Sequence, residues 1–259
     1  MASYLITGTS QGLGLGLVEV LNEMPEGTVK HIFATTRSSQ PNEALSALIA
    51  KSNGRAQHVV MDLDSTESIR AAASTVAAAL AGAGLDYLVL NAALRDPDPV
   101  SPEDMDFLRP ALSTNVVGTH EAAVAFLPLL RRGAAKTMVF FSSTLGCITT
   151  AQTDELLMSV PFPAYKISKA ATHMVMALWS NRLRAEGFCV YLQSPGNLKT
   201  RVAGWDRADL PVMVGAREVV RVMQEAKPQD TGRHRNIYVK GWEKGGGMGG
   251  RYDGEDLPW

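Results

Sequence analysis

Residues 163–173 read PAYKISKAATH, which sets a tyrosine, a lysine and a histidine four positions apart. On a helix this spacing stacks Tyr165, Lys169 and His173 along one face. The pair Tyr165–Lys169 admits two readings, an ordinary contact on a solvated helix or a phenol whose acidity the ammonium adjusts. A free tyrosine, with a pKa of about 10, exchanges protons sluggishly near neutrality. A neighbouring ammonium and a positively charged cofactor ring both favour the phenolate and draw the group toward the working pH. Beside a bound cofactor, such a phenol serves as a general acid. His173 lies too far along the face to reach that chemistry and is expected to pack or to contact a second subunit.

A second stretch suits phosphate chemistry. In LITGTSQGLGLG (5–16), Gly8, Gly12 and Gly14 sit between an apolar run and a helical pattern. Glycines there permit a tight turn and close backbone approach, and the helix N-terminus behind them can receive a pyrophosphate. A close-packed strand–helix turn would look alike, but its place at the first such junction favours a nucleotide. At the end of the next apolar run, ATTRSS (34–39) carries Arg37 where an acidic residue would accept the ribose hydroxyls of NAD. A guanidinium binds a 2′-phosphate through paired hydrogen bonds, so the pattern favours NADP(H).

The elements that must hold these groups alternate along the chain. Apolar runs at 3–8, 30–37, 56–63, 85–93, 136–143 and 188–196 read as strands, with helical patterns at 14–24, 41–52, after STES at 65–68, and within 102–132. Wholly apolar strands alternating with helices predict an α/β fold, a doubly wound parallel sheet covered on both faces. No repeat or linker divides the 259 residues, so one domain over 1–259 is expected. Only KGGGMGGR (244–251) is biased, and it reads as a flexible loop rather than a phosphate cradle.

Bulk properties narrow the partners. A formal net charge of −1 without a basic block argues against nucleic acid or an anionic membrane. No apolar run is long enough to span a bilayer, and MASYLITG lacks the pattern of a signal peptide. Cys147 and Cys189 suggest no disulfide framework, and no cysteine or histidine stands in a metal-ligand spacing. A reducing, cytoplasmic setting is the expectation.

Taken in order, the motifs resemble the short-chain dehydrogenases/reductases. The glycine turn is followed by LNAA (90–93), STNVVG (113–118), SSTLG (142–146), YKISK (165–169) and SPGNLKT (194–200). The closing YDGEDLPW resembles the tail of the carbonyl-reductase and C-factor-like branch. The resemblance implies a catalytic set of Asn115, Ser143, Tyr165 and Lys169. Ser143 would hydrogen-bond the substrate oxygen, with Ser142 packing behind it. Lys169 would also hold the nicotinamide ribose, its proton replenished through a water near Asn115. Cofactor contacts would come from Gly8, Ser10, Gln11, Gly12, Leu13, Gly14 and Arg37, from Asp62 and Leu63 at the adenine, and from Asn91 and Ala92 at its ribose. Tyr165, Lys169, Pro195, Gly196, Leu198 and Thr200 would complete the nicotinamide end. Leu90 and Ala93 depart from the family's asparagine and glycine, the second narrowing a place beside the ribose.

Residues 144–164 and 197–213 are expected to form substrate-pocket loops, the latter a lid, with 94–100 as another wall. Leu145, Cys147, Ile148, Phe162, Trp205 and Met213 would make the pocket mainly apolar. The function implied is NADPH-dependent reduction of a small-molecule ketone or aldehyde on an apolar or aromatic skeleton, by a homodimer or homotetramer packed through its long helices. A nucleotide sensor without turnover and a reductase scaffold adapted to isomerisation or cyclisation are the alternatives.

Overall fold

The computed structural model describes residues 1–200, 208–245 and 250–259. Its centre is a seven-stranded sheet, every pairing parallel. The first half runs β1 (Ala2–Ile6), α1 (Gly12–Glu23), β2 (Val29–Thr36), α2 (Glu43–Ala50), β3 (Ala56–Val60), α3 (Thr66–Leu80) and β4 (Tyr87–Leu90). The second half runs α4 (Leu108–Leu112), α5 (Thr119–Arg132), β5 (Thr137–Phe141), α6 (Thr150–Thr153), α7 (Glu155–Ser159), α8 (Pro163–Leu183), β6 (Cys189–Gln193), α9 (Val212–Glu225) and β7 (His234–Arg235).

The apolar runs are strands because both sheet faces are buried. Along β1, Tyr4 and Ile6 enter one core with α1 and α9, while Leu5 enters the other with α3, α5 and α8. Side chains alternate across a strand, so burial on both faces demands an unbroken apolar run. The helix opened by STES starts as the spacing predicts, with the Ser65 side chain accepting from the Ser68 N–H.

Strand order is β3-β2-β1-β4-β5-β6-β7. The chain winds outward from β1 in one direction, then returns to β4 and winds in the other. Between β1 and β4 the connections part, leaving a crevice at the carboxyl ends of the strands, where α/β sheets take their ligands. The glycine turn follows β1 and Asn91 follows β4, so both face that crevice.

Five elements went unread in the sequence, the short helices α6 and α7 among them, inside the 144–164 stretch expected as a loop. α9 begins at Val212, so the expected lid ends earlier than 213. β7 is only two residues long, too short for any periodicity. Residues 113–118 form a π-helical turn between α4 and α5, which no apolar spacing reveals. Trp205 and residues 246–249 lie outside the described residues. Among those described, no helix is long and apolar enough to cross a membrane.

Candidate active site

The glycine turn is built for an anion. Gly8 has φ +71°, and a Cβ there would lie 2.8 Å from the Cβ of Ala92. A Cβ on Gly14 would press within 2.2 Å of the Gly8 carbonyl oxygen, so α1 can pack this close to the turn only through glycine. Asn91 braces the turn, its Nδ2 donating to Thr7 O at 2.8 Å and Gly8 O at 3.2 Å. Its side chain is therefore spent on the loop, and Ala92 is tied the same way, its N–H donating to Thr7 Oγ1. The Gln11 side chain does not cap α1, and the first turn holds no acidic residue. The leading N–H groups behind Leu13 are left for a phosphate.

At the adenosine end, Arg37 is exposed just past β2, with no hydrogen bond or ion pair among the described residues. Ser10 is exposed beside it, its carbonyl accepting from Asn42. Asp62 caps its own loop by accepting from Asp64 N, and Leu63 is buried against Gly118. At the far end, Pro195 and Gly196 turn the chain after β6, with Gly196 at φ +87°. Thr200 comes back against Gly12, 3.2 Å from where a Cβ would stand. The Leu198 side chain is buried against Gly215, so only its backbone remains to face a ligand. A dinucleotide fits this set: an uncapped helix end, a glycine cradle and a free guanidinium.

The four residues read as catalytic converge from separate elements. Ser142 and Ser143 follow β5 and point oppositely, as strand neighbours do. Ser142 turns inward to His173 Nε2 at 2.5 Å, while Ser143 Oγ accepts from Leu145 N and lies close enough to Tyr165 to favour its phenolate. Asn115, within the π-helical turn, is buried. Its Oδ1 accepts from Leu94 N at 2.7 Å, and its Nδ2 donates to Leu94 O at 2.7 Å and Ser168 Oγ at 2.9 Å. The Asn115 carbonyl accepts from Thr172 Oγ1. Asn115 thereby locks the loop after β4 to α8.

The electrostatics differ in one respect from the sequence expectation. Lys169 Nζ is buried and donates to the Phe141 carbonyl at 2.8 Å, 5.5 Å from the centre of the Tyr165 ring. Burial pushes its pKa down to about 8. Tyr165 is pushed up to about 12 by burial, partly opposed by the charge of Arg95 and the nearby Ser143 hydroxyl. The charge of Arg95, which the tyrosine–lysine motif does not include, also favours the phenolate. A phenol neutral at pH 7 is the state a proton donor requires.

Two neighbours of the site lie in the expected 94–100 wall, but their roles left no mark in the sequence. Asp96 is almost wholly buried, and its Oδ2 accepts from Tyr165 N at 2.9 Å, which caps α8 at the tyrosine itself. Arg95 lays its guanidinium 3.8 Å above the Phe162 ring. Neither belongs to a short motif, and the contacts span 69 residues in one case. Of the expected pocket residues, Phe162 and Leu145 stand beside the site. Cys147 does not: its thiol donates to the Pro258 carbonyl at 2.8 Å. Ile148 points to solvent, and Met213 packs on Gly16 and the core because it belongs to α9.

Behind Ser142 the fold gathers what sequence spacing kept apart. Cys147, His173 and His234 bring donor atoms within 4.8 Å of one another, a separation at which a metal ion could be held. Each is occupied within the protein: His173 with Ser142, His234 with Ser194 and Pro258, and Cys147 with Pro258. The cluster works as a clasp for the C-terminal residues, and Trp259 meets the His173 ring edge-on at 5.9 Å. Burial and the neighbouring His234 push His173 down to about 3. Between that value and the unfolded value of about 6.5 the unfolded chain binds more protons, so stability falls on acidification. The unfolding free energy from urea titrations between pH 6 and pH 4 should drop with a slope of up to about 1.4 kcal/mol per pH unit from this group. His173→Asn should flatten that slope, and an unchanged slope would remove His173 from the account.

The comparisons with known proteins agree with this geometry. The family model for short chain dehydrogenase matches residues 3–210. The short-chain dehydrogenase/reductase AacuF of Aspergillus aculeatus is 36% identical over 206 residues, 76% of this chain and 74% of that protein. The short-chain dehydrogenase anuI of Penicillium roqueforti is 31% identical over 87% of this chain and 90% of its own length. Among solved structures, NADPH-bound carbonyl reductase from chicken fatty liver superposes with a TM-score of 0.84 at 25% identity, covering 100% of this chain and 99% of that one. The carbonyl reductase Sniffer of Drosophila melanogaster gives 0.83 at 26%, covering 100% of both. Because the family match runs from the first strand through the glycine turn and past the tyrosine–lysine pair, the chain belongs to the short-chain dehydrogenase/reductase family of oxidoreductases.

Proposed function

We propose that this protein is an NADPH-dependent reductase of a ketone or aldehyde on an apolar or aromatic skeleton. The observation that carries the reading is the convergence of Ser143, Tyr165 and Lys169 at the carboxyl edge of the sheet, beside an uncapped glycine turn. Arg37 would take the 2′-phosphate, and the first turn of α1 the pyrophosphate. NADPH, when bound, supplies the hydride. Tyr165 donates its phenolic proton to the carbonyl oxygen, while the Ser143 hydroxyl donates a hydrogen bond to the same oxygen and holds it in place. Lys169 would exchange its bond to Phe141 for the ribose hydroxyls, and its charge would then help Tyr165 release the proton. Asn115 keeps the Leu94 loop and α8 in register. The NADPH-bound chicken enzyme supports the cofactor.

Mixing the protein with NADPH and a panel of carbonyls tests the reading. One NADPH consumed per alcohol formed is expected. Tight NADPH binding with no turnover would favour a sensor, and product without net NADPH consumption an isomerase.

The long helices α5 and α8 would carry the self-association. Val117, Val124, Met174 and Leu178 are each at least half exposed on them or on the adjoining π-helical turn, a concentration of apolar surface that water does not favour. A homodimer or homotetramer is expected, and Leu178→Arg should shift its sedimentation toward the monomer. A wild-type monomer at high concentration would end that expectation.

A further inference from the structure

Arg95 is half-buried, yet it makes no hydrogen bond or ion pair among the described residues. Among the described residues, the other arginines buried to that degree, Arg55, Arg221 and Arg235, are bound to carbonyls or carboxylates. Stacking on Phe162 fixes the plane of the Arg95 guanidinium but uses none of its N–H donors. A partly desolvated charge without a counter-ion is costly, and a ligand that brings the counter-ion offsets the cost.

Asp96 stands next in the chain and its charge favours the guanidinium, but the two form no hydrogen bond or ion pair among the described residues. Asp96 faces inward, Oδ2 on the Tyr165 N–H and Oδ1 buried without a partner. With Asp96 under the start of α8, the Arg95 guanidinium lies apart from it on the Phe162 ring. Its backbone is well anchored. Leu94 is held at both its N–H and its carbonyl by Asn115, and Asp96 by Tyr165. Val100 N donates to Pro161 O, which joins this loop to the one bearing Phe162. The cation is thus pinned where two loops meet, immediately before Tyr165 in the fold.

We propose that Arg95 is an anion subsite of the substrate pocket, and that the substrate is a carbonyl compound carrying a carboxylate. This rests on the reductase reading above. A planar guanidinium with its donors free matches a carboxylate by paired hydrogen bonds. Phe162 beneath it accepts an apolar or aromatic skeleton, so the subsite selects the acid end while Ser143 and Tyr165 address the carbonyl.

The test compares 4-carboxybenzaldehyde with its methyl ester, which keeps the ring and the aldehyde but removes the charge. kcat/KM is measured at saturating NADPH for the wild type, Arg95→Lys and Arg95→Gln. The wild type should prefer the acid by about tenfold to a hundredfold, the range of a charge-assisted hydrogen-bonded pair. Arg95→Lys should keep part of that preference, and Arg95→Gln should bring the ratio to within about threefold. The ratio is decisive because loss of the charge also alters Tyr165 and slows both substrates. Equal wild-type rates on acid and ester, or a preference surviving in Arg95→Gln, would overturn the subsite and leave the reductase reading standing. Benzoate against benzamide, titrated into the NADPH-loaded protein by nicotinamide fluorescence, needs no turnover. Selective, Arg95-dependent benzoate binding in a protein that reduces neither aldehyde would keep the subsite and sink the reductase reading.

Discussion

Tyr165→Phe is expected to bind NADPH as the wild type does and to turn over about 10²–10⁴-fold more slowly. Phenylalanine keeps the ring against its neighbours and removes only the hydroxyl. The glycine turn, Arg37 and Lys169 are untouched, so of the groups that would hold the cofactor only the Tyr165 hydroxyl is lost. What goes is the proton donor. Lys169→Met should behave differently. It removes a buried ammonium bonded to Phe141 O, and with it the group that would serve both the ribose and the phenol. Affinity and rate should then fall together. Cofactor titration by fluorescence and single-turnover hydride transfer on the same preparations separate the two cases. Wild-type turnover in Tyr165→Phe would reduce the pair to a plain helical contact.

Arg37→Asp should weaken NADPH binding by about 30-fold or more, the equivalent of about 2 kcal/mol for one charge-assisted contact. The exposed guanidinium has no partner among the described residues, so its removal disturbs no internal bond. The loss should fall on NADPH and leave NADH little changed, since the introduced carboxylate repels a 2′-phosphate and can accept ribose hydroxyls. Equal losses for both cofactors would take Arg37 out of the 2′-phosphate site. Higher ionic strength should narrow the wild-type preference, because an exposed charge pair is screened.

Much of the fold was legible in the chain because its physical cause is local. Strands buried on both faces must be continuous apolar runs, and those runs delimit the six longer strands to within a few residues. The Gly8–Gly14 turn was readable because a backbone that passes so near Ala92 and the Gly8 carbonyl tolerates no Cβ. Tyr165 and Lys169 were readable because helical spacing alone puts them on one face.

The rest depended on contacts between distant segments. β7 pairs through two residues against β6, a length at which no periodicity exists. Cys147 and Met213 looked like pocket walls by their place in the chain. The clasp at Pro258 took the first, and the packing of α9 on Gly16 took the second. The Cys147–His173–His234 cluster has no sequence signature, since its members meet only where α8, β7 and the turn after β5 converge. By itself the sequence determined a doubly wound sheet, its glycine turn and the tyrosine–lysine helix, because burial and helical spacing act residue by residue. Only the tertiary structure decided what surrounds the phenol. Asp96 reaches α8 across 69 residues and Arg95 settles on Phe162, and charge and burial at a site are sums over whatever the fold brings near.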